Sequence, residues 1–361
     1  MEILKKPFII ISIILLTASF VKGQDNETYA EKLGWEKGQK VIIFHVDDAG
    51  MSFDSNQGAI EAMEKGVATS VSLMMPCPWI PGMVKYLKAH PTVDAGLHLT
   101  LTSEWEDYRW GPLTGITSSP GLVDEEGAMY PTVGGVVKNA SADEVEAEIR
   151  AQLARARKMG FDPTHLDSHM GTLMATPEFL ERYIKVGMQE KIPVLFSGGN
   201  NYFLMEKVKN DSIALLKSQG KSVENRKINI QPVQNQLAAI GKQIWDSGLP
   251  VVDDLHYTSY DWKFPENLKD SDENLKNWKV EKYIDVLKSA QPGITMVLMH
   301  CTNPTEVFPH ITDSGNTRKA DLLAMTAPEL KKYIEDNGIV LTTWRELKER
   351  RDKVASSQNK K

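Results

Sequence analysis

Cysteine is scarce: the 361 residues include only Cys77 and Cys301. Two thiols exclude a disulfide-stapled scaffold and a four-cysteine metal cluster, and leave pairing between the two open. A surplus of basic charge is missing as well. Forty-two Lys and Arg face 48 Asp and Glu, a formal net charge of −6, so the electrostatic footprint of a nucleic-acid binder is absent. No solenoid-length repeat appears, and no low-complexity tract precedes the polar end at 352–361. At 41% hydrophobic and 25% charged residues, the composition fits an ordinary folded protein. It excludes a largely disordered, collagen-like or coiled-coil chain.

Long apolar runs are lacking after residue 23, which predicts a soluble remainder. The one run lies at the start, where Lys5 and Lys6 precede a largely apolar stretch of fifteen residues, 7–21. A spanning helix needs about 20 apolar residues. The stretch therefore reads as a secretory signal peptide cleaved after Gly23, with an uncleaved anchor as the alternative. This predicts an exported protein, periplasmic or secreted, with no stable membrane anchor once the signal is removed. The expected organisation is a signal over 1–23, one folded domain over 24–351 and a polar, frayed tail over 352–361.

What is present is an alternation. Short apolar, β-branched stretches at 40–46, 70–75, 95–101, 164–167, 193–196, 249–252, 294–299 and 339–342 read as strands. Amphipathic patterns at 55–65, 79–89, 142–159, 176–189, 234–247, 279–290 and 327–337 read as helices. Ser141 with Glu144, and Thr176 before Pro177, are the expected start signals. The alternation predicts an α/β protein: a distorted (β/α) barrel of about seven or eight parallel strands in a single domain. Two connections, 102–139 and 253–277, exceed minimal loops, and long loops of this kind are usually functional. They carry Trp105, Tyr108 and Trp110 in the first, and Tyr257, Tyr260 and Trp262 in the second. Such rings either stack on the faces of a sugar or fasten the loops to the barrel.

Titratable residues collect at the strand ends, where barrels of this class place their chemistry. VIIFHVDDAG ends on Asp47 and Asp48, which read as a metal ligand with a substrate-facing neighbour, or as a loop-opening cap. His98 stands alone in the apolar stretch of AGLHLTL, where a satisfied core histidine is the commoner outcome. HLDSHMGT changes the balance, because alternation sends His165, Asp167 and His169 to one side of an extended chain. Burying three such groups is expensive without a partner, and a divalent cation is one that accepts imidazole and carboxylate together. A hydrogen-bonded network without metal is the competing outcome. ITMVLMH closes on His300.

Asp47-Asp48-Ala49-Gly50, Gly96-Leu97-His98-Leu99 and His165-Leu166-Asp167-Ser168-His169 follow one another in this order. In this the chain resembles the YdjC/ChbG-type carbohydrate deacetylases, which are polysaccharide deacetylase-like, from about residue 41 to 347. The resemblance implies a distorted barrel, a small carbohydrate substrate and hydrolytic removal of N-acetyl groups from amino sugars or small oligosaccharides with one divalent metal ion. Carried over, Asp48, His98 and His169 would hold the metal, which mixed N/O ligands leave as Zn²⁺ or, less comfortably, Mg²⁺. Asp47 would be the general base and His300 the acid. Asp167 would orient a ligand imidazole, and His165 would do the same or act as an alternative ligand. Trp105, Tyr108, Trp110, Tyr257 and Trp262 would line the substrate. Several positions depart from the family pattern: His45 where Asn is common, Ala49 where Phe is usual, Gly171 in place of a histidine, and Cys301-Thr302 after His300. An N-terminal export signal is also unusual there. Another metal-dependent barrel hydrolase, acting on an O-acetyl ester, cyclic amide or phosphoester, and an inactive secreted sugar-binding protein are the alternatives. A homo-oligomer is left open.

Overall fold

The computed structural model describes residues 27–223 and 227–358. Seven strands make one parallel sheet: β1 (Lys40–Ala49), β2 (Ser70–Leu73), β3 (Ala95–Leu99), β4 (Leu166–Ser168), β5 (Asp254–His256), β6 (Gly293–Met299) and β7 (Val340–Leu341). They lie in the order β4-β3-β2-β1-β6-β5, with β7 added beside β1. Every residue of β1 after Lys40 is buried. Helices cover parallel sheets on their faces, which is why this strand is a continuous apolar run rather than an alternating one.

On one side β1 pairs with β6 along Lys40–Val46. On the other it is shared, with β7 at Val41 and Ile42 and β2 from His45 onward. Beyond β4 the pairing thins to single parallel bridges, Leu166–Val194 and Ser197–Val252. Asp253 N–H then donates to Ile294 O of β6 at 2.8 Å. The sheet is thus a curled, distorted barrel in one α/β domain, as the alternation predicts. The apolar stretches at 193–196 and 249–252 are not strands in it; each contributes one bridge, and the extended segment lies later, at β5.

Helix starts follow local chemistry. Ser141 and Glu144 form a complete capping box ahead of the helix Ala142–Lys158. Thr176 caps Phe179 N–H, and Pro177 occupies the first turn of the helix Pro177–Glu190. The helix Trp344–Gln358 continues through 352–358, part of the segment expected to fray. Lys348 and Asp352, one turn apart, stabilise it from the solvent side. Cys77 and Cys301 are both buried and free. Among the described residues no helix is long and apolar enough to cross a membrane. The expected signal at 1–23 lies outside the described residues.

Candidate metal centre

The C-terminal end of β1 delivers two consecutive carboxylates to one place. In an extended strand neighbours face opposite sides, but Asp48 takes a left-handed backbone, φ 64°. Aspartate tolerates this region better than most residues, at a cost of about 1–3 kcal/mol. Gly50 follows at φ 87°, and a Cβ there would lie 2.2 Å from Ile80 Cδ1. Its N–H donates to Asn56 Oδ1 at 2.6 Å, and Asn56 Nδ2 donates to Trp79 O. The turn that aims the two carboxylates is therefore clamped.

Asp48 Oδ1 lies 3.3 Å from His98 Nε2 and 3.3 Å from His169 Nδ1. All three residues are buried, and Asp48 Oδ1 has no hydrogen-bond partner. The far nitrogen of each ring meets a carboxylate. His98 Nδ1 donates to Asp167 Oδ1 at 2.7 Å, and His169 Nε2 donates to Glu104 at 3.0 and 3.1 Å. Since an ionised carboxylate only accepts, Asp167 and Glu104 each take a ring N–H, and the nitrogen left facing Asp48 Oδ1 is the one each ring would offer to a cation. Two imidazole nitrogens and a carboxylate oxygen around one orphaned buried atom fit a divalent cation. The other oxygen, Oδ2, accepts from Arg318 Nη2 at 2.8 Å. Burial pushes the Asp48 carboxyl up, but Arg318, His169 and His98 together hold it well below the usual carboxylate range.

A second buried group lies alongside. His45 Nε2 stands 2.9 Å from Asp167 Oδ2 and 3.2 Å from Asp47 Oδ1, and its Nδ1 is 3.0 Å from Ser70 Oγ. Burial opposes charge on this ring, yet the bonds to Asp167 and Asp47 raise it to about 9. It bridges the two aspartates. His165 stacks on Trp344, ring centroids 5.3 Å apart, and burial lowers it to about 4. A side chain at Gly96 would strike it at 2.5 Å. The HLDSH segment is thus divided. His169 turns toward Asp48, His165 sits with His45, and Asp167 touches both groups; the extended segment ends at Ser168, and His169 opens the turn that follows.

His300, just past β6, completes the rim. Its Nε2 is 4.0 Å from Asp47 Oδ2 and 3.9 Å from Asp48 Oδ2, and its ring meets Tyr260 edge-on at 5.0 Å. Burial lowers its basicity, and Asp48 partly offsets this. Trp105 and Trp110 are buried with Met51, Met74, Met129 and Phe308 in a small core of their own. Tyr108 joins its edge and donates to Met51 O. These rings fasten the 102–139 connection to the loop that follows Asp48. Trp262 packs on His256 and Tyr283. Tyr257 lines a cavity of about 130 Å³ with Phe203, Lys207 and His256. Glu104, Arg318 and the bridging role of His45 were not anticipated. Only Glu104, six residues after His98 in HLTLTSEW, lay near a recognisable motif.

The barrel and its buried Asp–His–His centre define a hydrolase-like α/β scaffold. The family model described as YdjC-like protein matches residues 41–336, and the chain belongs to that family. It is 28% identical over 320 residues to a carbohydrate deacetylase of Thermus thermophilus, covering 88% of this chain and 97% of that protein. A carbohydrate deacetylase of Brevibacillus brevis is 25% identical over 85% of this chain and 99% of its own length. A chitooligosaccharide deacetylase of Yersinia enterocolitica is 32% identical over 135 residues, 36% of this chain and 49% of that protein. The solved structure of an Enterococcus faecalis protein, described provisionally as a cellobiose-phosphate cleavage protein, superposes with a TM-score of 0.63. Its identity is 20%, over 86% of this chain and 99% of that one, which establishes the fold.

These relatives correct the expectation of export. The family match begins only at residue 41, and relatives aligned over 97–99% of their length account for 85–88% of this chain. Residues 1–23 lie outside what ties the chain to its family, and the exported location is withdrawn.

Proposed function

We propose that this protein is a metal-dependent carbohydrate deacetylase that hydrolyses N-acetyl groups from amino sugars or small oligosaccharides. The observation that carries the reading is Asp48 Oδ1, buried, without a hydrogen-bond partner and 3.3 Å from both His98 Nε2 and His169 Nδ1, with Asp47 next in the chain. Asp48, His98 and His169 would hold the ion, and two imidazoles with one carboxylate favour Zn²⁺ over Mg²⁺. When bound, the ion supplies Lewis acidity toward an amide oxygen and lowers the pKa of water.

The residues of the chain do the proton work. Asp47 accepts the proton of the attacking water, a role worth about 10²–10⁴-fold. His45 and Ser72 Oγ, 3.2 and 3.5 Å away, keep its carboxylate oriented. His300, 4.0 Å from Asp47, delivers a proton to the departing amine. Asp167 holds the His98 ring so that Nε2 faces inward. Tyr260, edge-on to His300, would meet the sugar from the second connection, with Tyr257 beside it in the chain; Trp105, Tyr108, Trp110 and Trp262 would shape the walls behind.

Acetate release from N-acetylated amino sugars, measured with and without chelator, tests the reading. Chelation abolishes release and Zn²⁺ restores it, while Asp47→Asn keeps the metal and loses about 10²-fold or more in kcat. Full activity of Asp47→Asn would remove Asp47 as the base. Turnover of O-acetyl esters or phosphoesters in place of amides would overturn the substrate class.

A further inference from the structure

Glu104 belongs to no strand and to no motif, yet its carboxylate reaches His169 from the connection that follows β3. Both its oxygens lie within hydrogen-bond distance of Nε2, at 3.0 and 3.1 Å. We infer that Glu104 is a positioning residue that fixes the His169 ring with Nδ1 toward Asp48, and that tight cation binding depends on it. The inference rests on the proposed reading of Asp48, His98 and His169 as cation ligands.

The reason is the two-nitrogen chemistry of imidazole. A neutral ring carries one hydrogen, and a carboxylate at Nε2 assigns it there, leaving the Nδ1 lone pair for the centre. Without that acceptor the ring is free to place its hydrogen on Nδ1 or to rotate, and either change spoils the donor set. His98 receives the same service from Asp167, but Asp167 sits in β4, whereas Glu104 rides on a long connection. That connection is seated against the other side of the centre. Ser103 Oγ accepts from Trp110 N–H at 3.0 Å, and Trp110 Nε1 donates to Thr102 O at 3.0 Å. Tyr108 ties it to Met51, three residues past Asp48. Glu104 is thereby delivered to His169 by the same packing that covers the loop of Asp48.

The test is Zn²⁺ affinity of the full chain, read by competition with a chromophoric chelator. Glu104→Leu is expected to weaken binding about 10–100-fold, the usual effect of removing such a partner. Glu104→Ala should fall in the same direction, and serves if the leucine variant does not fold. Glu104→Gln keeps an oxygen that accepts from Nε2 and should recover most of the affinity. Glu126→Leu, on the same connection but exposed and paired with Arg109 rather than with His169, should bind as the wild type does. In the Co²⁺-loaded protein the visible absorption should change in Glu104→Leu and not in Glu126→Leu. Wild-type affinity in Glu104→Leu and Glu104→Ala, equal loss in Glu104→Gln, or equal loss in Glu126→Leu would each overturn the inference. A wild type that binds no Zn²⁺ would instead sink the reading of the centre itself.

Discussion

Asp48 Oδ1 and His256 Nδ1 are both buried without partners, and they call for different explanations. The first is faced by two imidazole nitrogens at 3.3 Å, whereas the His256 ring is faced by those of Phe203 and Trp262. Only the first surroundings suit a cation. His256 is kept neutral: burial lowers its imidazole from 6.5 to about 4. The unfolded chain titrates it near 6.5, so its contribution to stability is complete above that pH. It is lost as pH falls from 6.5 to about 4, by up to ~3 kcal/mol. Urea unfolding across that window should show a shallower acid-side loss for His256→Phe; superimposable pH profiles would refute the assignment. The same contrast shows what could be read from residues alone. Asp47, Asp48 and His300 announce themselves because they end apolar stretches, and His98 because it interrupts one, where a polar group is out of place. Arg318 and Glu104 do not, since charged residues on helices and loops are ordinary until the fold brings them to the centre.

Elements differ in how openly their residue patterns declare them. The helix Tyr202–Ser218 escaped notice because only Met205 on it is buried, so no apolar stripe marks it. The strand-like stretch at 193–196 is apolar because it is buried, yet its backbone makes only isolated bridges, from Val194 to β4 and from Phe196 O to Val252 N–H. Burial, not pairing, is what such a stretch records. The helices Asp272–Ser289 and Gly315–Met325 are joined by a contact that no local pattern displays. Lys279 Nζ donates to Asp321 Oδ1 at 2.7 Å and to Ser259 O at 3.1 Å, with both charged groups wholly buried. Asp321 also accepts from Tyr283 and from the N–H of His300. Lys279→Met strands a buried carboxylate and should cost about 3–5 kcal/mol in chemical denaturation. Because Asp321 holds the His300 backbone, a lower kcat is expected alongside. Stability within 1 kcal/mol of wild type would contradict the buried pair. In the first connection, Glu148 accepts from the N–H groups of Leu113 and Thr114. Glu148→Ala should loosen that wall at about 1–3 kcal/mol for each buried N–H left unpaired, read as faster proteolysis within 102–139.

At the scale of the whole molecule, the centre joins segments far apart in sequence: β1, β3, the turn after β4, the first connection and the helix of Arg318. A ligand that bridges them should stabilise the entire fold. Zn²⁺ at a hundredfold excess over its dissociation constant is expected to add about 3 kcal/mol. The thermal midpoint should rise accordingly, and His98→Ala should abolish the rise; an equal rise in that variant would place the bound ion elsewhere. The barrel itself was legible from the alternation of strand and helix, whereas its thin side, between β4 and β5, was not. Hydrophobic pattern does not reveal how many hydrogen bonds a segment makes. The strand that carries Asp47 and Asp48 lies opposite, and it alone shares hydrogen bonds with three others, β2, β6 and β7. Amide hydrogens escape to solvent only when every neighbour lets go. In an exchange experiment Val41–Val46 of β1 should therefore take up deuterium later than 194–197, whose backbone holds only single bridges. The two carboxylates hang from the end of a segment that is slow to let go.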